Sequence, residues 1–244
     1  MVHEMIDGTY RQTNLPNESA EYLSKREELR HAEIELMHQR EKVATLRRQL
    51  PPGAVVNDYE FVETRRSLQE GDTPTNTVRL SELFTTPGRA LVIYHLMYGK
   101  TQTRPCPMCT AWLDSFNGIA HHLAQRIDLA VVAAADLPAL RSHARSRAWD
   151  KLRLLSAAGN AFKFDLGSED REGNQDSTIS VFTRDPQGTV RHFYSVHPRL
   201  ASNIEARGID EYNPIWNVLD LTPEGRGEFL ASLDYGTSVQ PARG

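Results

Sequence analysis

One run of the chain constrains the fold more than any other. Residues Ala90 to Tyr98 (ALVIYHLMY) are almost continuously apolar and aromatic, the signature of a strand covered on both faces. A short polar loop follows, and then Cys106-Pro107-Met108-Cys109, which contains the only two cysteines of the 244 residues. One tight pair cannot staple a chain of this length, so a disulfide scaffold is excluded. A helix is expected to begin at the pair, because Pro107 suits a first helical turn, where its missing N–H costs nothing. From there Cys109, Leu113, Phe116, Ala120, Leu123 and Ile127 step by four and three alternately, which makes one apolar stripe. The stripe puts Cys109 at the head of the buried face and leaves Cys106 at the helix mouth.

The flanking sequence reads as alternating strands and helices. Residues 1–17 are expected to be a flexible arm, and 18–50 a long helix, since that stretch lacks Gly and Pro and is rich in Glu, Lys, Arg, Leu and Ala. Its apolar residues Tyr22, Leu29, Leu36, Val43 and Leu50 recur every seven positions, but the companion row is only partly apolar, so a coiled-coil seam is weak. Docking on its own domain and homodimerisation through this helix explain the stripe equally. Pro51-Pro52-Gly53 ends the helix. Strands are expected at Val55–Glu63, Ile127–Ala134 and Lys151–Leu155, and a short extended piece with a helical turn at Thr77–Phe84. Asp136 caps a helix from Leu137 to about Ala148. Thr178–Thr183 and Thr189–Val196 pair across Arg184-Asp185-Pro186-Gln187-Gly188, a hairpin signal. Helical character is expected at Leu200–Ala206 and from Thr222-Pro223-Glu224. The domains expected are thus the arm, the helix, a domain over 51–225 and a tail over 226–244, and the class is α/β with a mixed sheet.

Composition removes whole function classes. A net charge of −4 with mixed signs offers no basic face for nucleic acid. The apolar runs are too short to span a membrane, and the first residues lack the apolar core of a secretory signal. A soluble cytoplasmic protein is expected. There is no P-loop, no G-x-G-x-x-G and no G-x-S-x-G elbow. The acidic stretch Ser168–Asp176 lacks the spacing of a calcium loop. No cofactor is expected.

A buried strand, a C-x-x-C pair and a helix, in that order, are where a thioredoxin-like fold carries its redox centre. Helix N–H groups and the helix dipole favour a thiolate at Cys106, the expected nucleophile. Cys109, one turn on, is the expected resolving thiol. Tyr94 and His95 are the titratable residues of the preceding strand, and His95 is the candidate base for Cys109 because imidazole titrates in the useful range. Pro107, Met108 and Trp112 are the residues around the pair expected to meet a substrate. Two alternatives remain at this level. The cysteines can be packed and inert, or they can join His95, His192 or His197 on zinc; His121 and His122 diverge by about 100° on their helix and cannot both turn to one ion.

Several segments together resemble one family, the bacterial thioredoxin-like group known as domain of unknown function 899. They are Ser24-Lys25-Arg26-Glu27-Glu28-Leu29, Leu50-Pro51-Pro52, Asp58-Tyr59-Glu60-Phe61, Leu80-Ser81-Glu82-Leu83-Phe84, Tyr94-His95-Leu96-Met97-Tyr98-Gly99 and Cys106-Pro107-Met108-Cys109. Phe116-Asn117-Gly118-Ile119, His122-Leu123, Ser180-Val181-Phe182 and Asn217-Val218-Leu219-Asp220-Leu221-Thr222-Pro223 continue the match. The resemblance implies a thioredoxin or peroxiredoxin-like fold with an added N-terminal helix. Thioredoxins place a cis-proline opposite the cysteine pair; here that region reads Asp176-Ser177-Thr178-Ile179, so Ser177 and Thr178 are the substrate-facing candidates. The function expected is thiol–disulfide exchange on a disulfide-containing protein or a small thiol, with a separate reductant. A thiol peroxidase and a catalytically silent binding protein are the rivals.

Overall fold

The structure, a computed structural model, describes residues 15–202 and 207–233. It divides into two units, residues 1–51 and 52–244. The first 14 residues of the expected arm, and residues 203–206 of the expected helical stretch, lie outside the described residues.

Among its described residues the first unit holds one helix, α1 (Ala20–Arg48). Ser19 caps it by accepting the Tyr22 N–H at 3.1 Å, as its short polar side chain predicts. Pairs such as Lys25–Glu28 at 2.8 Å and Arg30–Glu27 at 2.6 Å line its surface. Exposed pairs of this kind add little to stability, because water and salt screen them. None of its residues is buried.

The second unit is a sheet whose described strands run in the order β2-β1-β5-β4-β3-β6-β7. They are β1 (Glu60–Glu63), β2 (Asn76–Arg79), β3 (Ala90–Leu96), β4 (Ile127–Ala133), β5 (Arg153–Ser156), β6 (Thr178–Arg184) and β7 (Val190–Val196). The apolar run found in the sequence is β3, at the centre. It pairs in parallel with β4 and antiparallel with β6, and β6 pairs antiparallel with β7. The connection from β3 to β4 is α2 (Pro107–Leu123); α3 (Leu137–Ser146) leads from β4 to β5, and α5 (Pro214–Leu219) follows β7. A βαβ unit joined to an antiparallel hairpin and a closing helix is the thioredoxin-like arrangement, with the parallel crossover made by a helix as its geometry requires.

Because side chains alternate along a strand, β3 feeds two cores. Tyr94 and Leu96 pack with Cys109, Trp112, Leu113 and Phe116 of α2, Leu140 and Ala144 of α3, and Trp216 of α5. Leu91 and Ile93 pack on the other face with Phe61, Leu80, Phe182 and Phe162, the last from α4 (Phe162–Asp165). Of the expected stripe, Cys109, Leu113, Phe116 and Ala120 are buried on α2, with Trp112 beside them; Leu123 is half-buried and Ile127 already belongs to β4.

Beyond shifts of a residue or two at element ends, two segments depart from the sequence reading. Only Glu60–Glu63 of Val55–Glu63 is a strand. Upstream of it the Asp58 carboxylate takes the N–H and hydroxyl of Ser81, each at 2.8 Å, and Val55 makes an isolated bridge to Arg191. The Thr222-Pro223-Glu224 segment forms turns rather than a helix, because Gly225 and Gly227 adopt φ of 62° and 46°. The helix lies earlier, at α5, where Asn213 caps by accepting the Ile215 N–H at 2.9 Å and Pro214 begins the first turn.

Candidate active site

Two backbone hydrogen bonds and one from a side chain fix the entrance of α2. The N–H of Cys106 donates to the Met97 carbonyl just beyond β3 at 3.1 Å, and the Cys106 carbonyl accepts the Thr110 N–H at 3.0 Å. The Thr110 hydroxyl lies 3.0 Å from the same carbonyl and 3.0 Å from His143 Nε2 of α3. Behind the loop, Gly99 holds φ at 106°, and the Ala135 N–H reaches the Tyr98 carbonyl at 2.9 Å. A Cβ on Gly99 would run into the Ala134–Ala135 peptide; only glycine allows β3 and β4 to close this tightly.

Cys106 is the N-cap residue and half-buried, whereas Cys109 is 2% exposed; both are free thiols. Their acidities separate in opposite directions. The Cys106 thiol falls from an ordinary 9.0 to about 6, chiefly through the hydrogen bond offered by the Cys109 side chain. The Met108 and Cys109 backbone N–H groups assist, while burial and the Asp176 carboxylate oppose. The Cys109 thiol is pushed well up, first by its bond to Cys106 and then by burial. A thiolate is thus favoured at the helix N-terminus, where unsatisfied N–H groups gather.

The floor of the site comes from β3. Tyr94 is fully buried, stacked on Trp112 with ring centroids 6.2 Å apart and edge-on to Phe116 at 5.9 Å. Its hydroxyl closes no hydrogen bond of ordinary geometry. It still lies near enough to Cys109, Cys106 and Ser177 for each to move its acidity; burial, the largest influence, drives it well up. Lys163 of α4 is 1% exposed and donates from Nζ to the Leu96 carbonyl at 2.9 Å.

The other expected residues distribute as follows. His95, the expected base, occupies the opposite parity of β3 from Tyr94. It stacks on Phe162 at 5.1 Å, and its Nδ1 meets Ser168 Oγ at 2.6 Å. Burial and the neighbouring Lys163 hold its pKa well below the ordinary value, so it is a neutral imidazole packed in the second core. Trp112 is 3% exposed and stacks on Trp216 at 5.9 Å as well as on Tyr94; it walls the site from within. Pro107 is exposed and Met108 half-buried, with the Met108 sulfur 3.1 Å from the Ala231 N–H. Ser177 is buried beside the Tyr94 hydroxyl, and Thr178 opens β6 opposite His95, its hydroxyl 3.0 Å from His197 Nδ1. Lys163 is the residue of the site that pattern reading missed; Tyr94 and Asp176 stand in segments it singled out, without a role assigned to either. Among the described residues, no group of three or more His, Cys, Asp or Glu side chains is placed to hold a metal ion. No described helix is long and apolar enough to cross a membrane.

A thioredoxin-like sheet with two neighbouring cysteines at the mouth of the helix after its central strand defines the class: a thioredoxin-fold protein with a thiol pair where that fold carries its chemistry. The pattern of one family runs through nearly all of the sequence. The chain belongs to the bacterial proteins of unknown function called DUF899, matched over residues 12–239. No curated protein matches it. Among solved structures it is similar to Mycobacterium tuberculosis AhpC, with 17% identity and a TM-score of 0.45 over 66% of this chain and 88% of that one. Oxidized Prx3 from Vibrio vulnificus is similar at 18% identity and TM-score 0.41, over 59% and 88% of the two chains. The Plasmodium falciparum antioxidant protein, a 1-Cys peroxiredoxin, is similar at 11% and 0.46, over 65% and 88%.

Proposed function

We propose that the protein is a thiol–disulfide oxidoreductase in which Cys106 attacks and Cys109 resolves. The observation that carries this is the asymmetry of the pair: one half-exposed sulfur at a helix N-terminus and one buried sulfur a turn behind it. The Cys106 thiolate attacks a substrate S–S bond, forming a mixed disulfide and releasing one thiolate. Cys109, held within the same helical turn, then attacks the Cys106 sulfur; the internal disulfide forms and the second substrate sulfur departs. The substrate gains two electrons and the pair loses two, so an external reductant must return them. Pro107, exposed between the two cysteines, is where a substrate backbone would lie. This chemistry fits a reducing compartment such as the cytoplasm, where thiols are kept free.

Thiol peroxidase activity is the second reading, and the Tyr94 hydroxyl favours it. A buried hydroxyl that lies beside Cys109 and Ser177 but closes no hydrogen bond of ordinary geometry could hold a peroxide oxygen while Cys106 passes through a sulfenic acid. The test is direct. Cys106→Ser is expected to abolish reduction of insulin disulfides by dithiothreitol-recycled protein, and wild type to consume hydrogen peroxide no faster than a free thiol. Full reductase activity in Cys106→Ser would refute the assignment, and rapid peroxide consumption by wild type would move it to the second reading.

A further inference from the structure

Lys163 is the anomaly of the fold. Its ammonium lies in the interior at 1% exposure, with a single hydrogen bond, to the Leu96 carbonyl at 2.9 Å. Among the described residues no carboxylate stands within ion-pair distance of it. Burying a charge without a counter-ion is unfavourable, because the ion gives up its water and gains no opposite charge in return. A packed apolar side chain would fill the same space at no such penalty. The position therefore calls for an anion that the resting state does not supply.

The surroundings identify that anion. Leu96, whose carbonyl holds the ammonium, is the last residue of β3, and the next carbonyl, of Met97, anchors the Cys106 N–H at 3.1 Å. The cation and the cysteine pair therefore hang from adjacent peptides of one strand end. The ionisable groups around Lys163 are Cys109 from α2, Glu169 and Asp176 from the loop before β6, Lys100 after β3, and His95 on β3. Of those that favour its charged form, Cys109 acts most strongly, ahead of Glu169 and Asp176. Glu169 is already engaged with Lys100 and Gln175, and Asp176 with Arg199. Burial brings Lys163 down to about 8, so the ammonium still predominates at neutral pH.

We infer that Lys163 is a positioning residue for the resolving step, the buried counter-charge that stabilises the Cys109 thiolate as it attacks the Cys106 sulfur. The inference rests on the dithiol reading above. In that step Cys109 gives up its proton and its sulfur bonds to Cys106. The Cys106–substrate bond breaks, and the departing substrate sulfur leaves with the electron pair and takes up the proton. Lys163 keeps its own proton throughout.

The test uses the full reduced chain and 5,5′-dithiobis(2-nitrobenzoate) in stopped flow. Wild type is expected to release one thionitrobenzoate as Cys106 is capped and a second as Cys109 resolves. Lys163→Met should leave the first phase within about twofold and slow the second at least tenfold, with the pH limb of the second phase moved to higher pH. Its melting temperature should not fall, because an apolar replacement relieves the burial penalty. Lys163→Gln keeps a donor for the Leu96 carbonyl without the charge and should slow the second phase likewise. A second phase as fast as wild type in either folded variant overturns the inference. A wild type that releases only one thionitrobenzoate refutes the dithiol reading instead, before Lys163 is involved.

Discussion

Alkylation of Cys106 by iodoacetamide, followed from pH 6 to 9 by peptide mass spectrometry, isolates the consequence of its place at the helix mouth. The thiol lies near 6 against an ordinary 9.0. At pH 6 about half of Cys106 is thiolate, against about one part in a thousand for an ordinary cysteine. Each low-pKa thiolate is weaker as a nucleophile: with a Brønsted slope of about 0.4–0.5, a shift of about three units costs ~16–32-fold. The two effects combine to make Cys106 about 15–30-fold faster than a model thiol at pH 6 and about 3–6-fold faster at pH 7. Above a crossing near pH ~7.5 the order inverts, and by pH 9 Cys106 is roughly tenfold slower. Half-burial scales every rate by a common factor, so the shape of the profile is the firmer quantity. From pH 6 to 9 the Cys106 rate should rise only about twofold, against about 500-fold for a model thiol.

The sign of the effect can also be followed in stability. A thiol held below its unfolded value contributes stability to the reduced protein that grows as pH rises from about 6 towards 9 and is lost as pH falls through 6. Chemical denaturation of the reduced chain at pH 5.5 and 8 should therefore show the higher midpoint at pH 8. An alkylation rate that climbs tenfold per pH unit from 6 to 8 would refute the reasoning. It would mean that the helix N–H groups and the Cys109 side chain do not stabilise a thiolate at Cys106.

Two further substitutions separate packing from chemistry. Tyr94→Phe removes a hydroxyl that closes no hydrogen bond while keeping the ring against Trp112 and Phe116; stability measured in urea should change by less than about 1 kcal/mol, and turnover should fall. A destabilised variant with full turnover would assign Tyr94 to packing alone. Gly99→Ala places a Cβ into the Ala134–Ala135 peptide at φ 106° and should cost about 2–3 kcal/mol, with a loss of Cys106 reactivity at pH 6 as the loop carrying its N–H anchor shifts.

The elements that hold the site were legible because each has a local cause. β3 is an apolar run, α2 begins at a proline, α3 begins where Asp136 accepts the Ala139 N–H at 2.8 Å, and the β6–β7 hairpin turns at Asp185, which accepts the Thr189 N–H at 2.8 Å. The same cap-and-proline signal stood at Asn213-Pro214 and marks α5, a helix too short to show periodicity. What was not legible is the assignment of faces. In a strand covered on both sides, Tyr94 and His95 look alike from sequence, since apolar neighbours flank both. Only the packing of α2 on one side and Phe162 on the other decides that the phenol, not the imidazole, faces the thiols. Lys163 lies further out of reach: nothing in AFKFDL marks the lysine between two phenylalanines for burial, which follows from where a one-turn helix packs against the end of β3. The sequence pattern thus locates the two sulfurs, which are set by a helix start. The groups that would govern their protons are set by long-range packing, so the Tyr94 and Lys163 variants test what the structure adds.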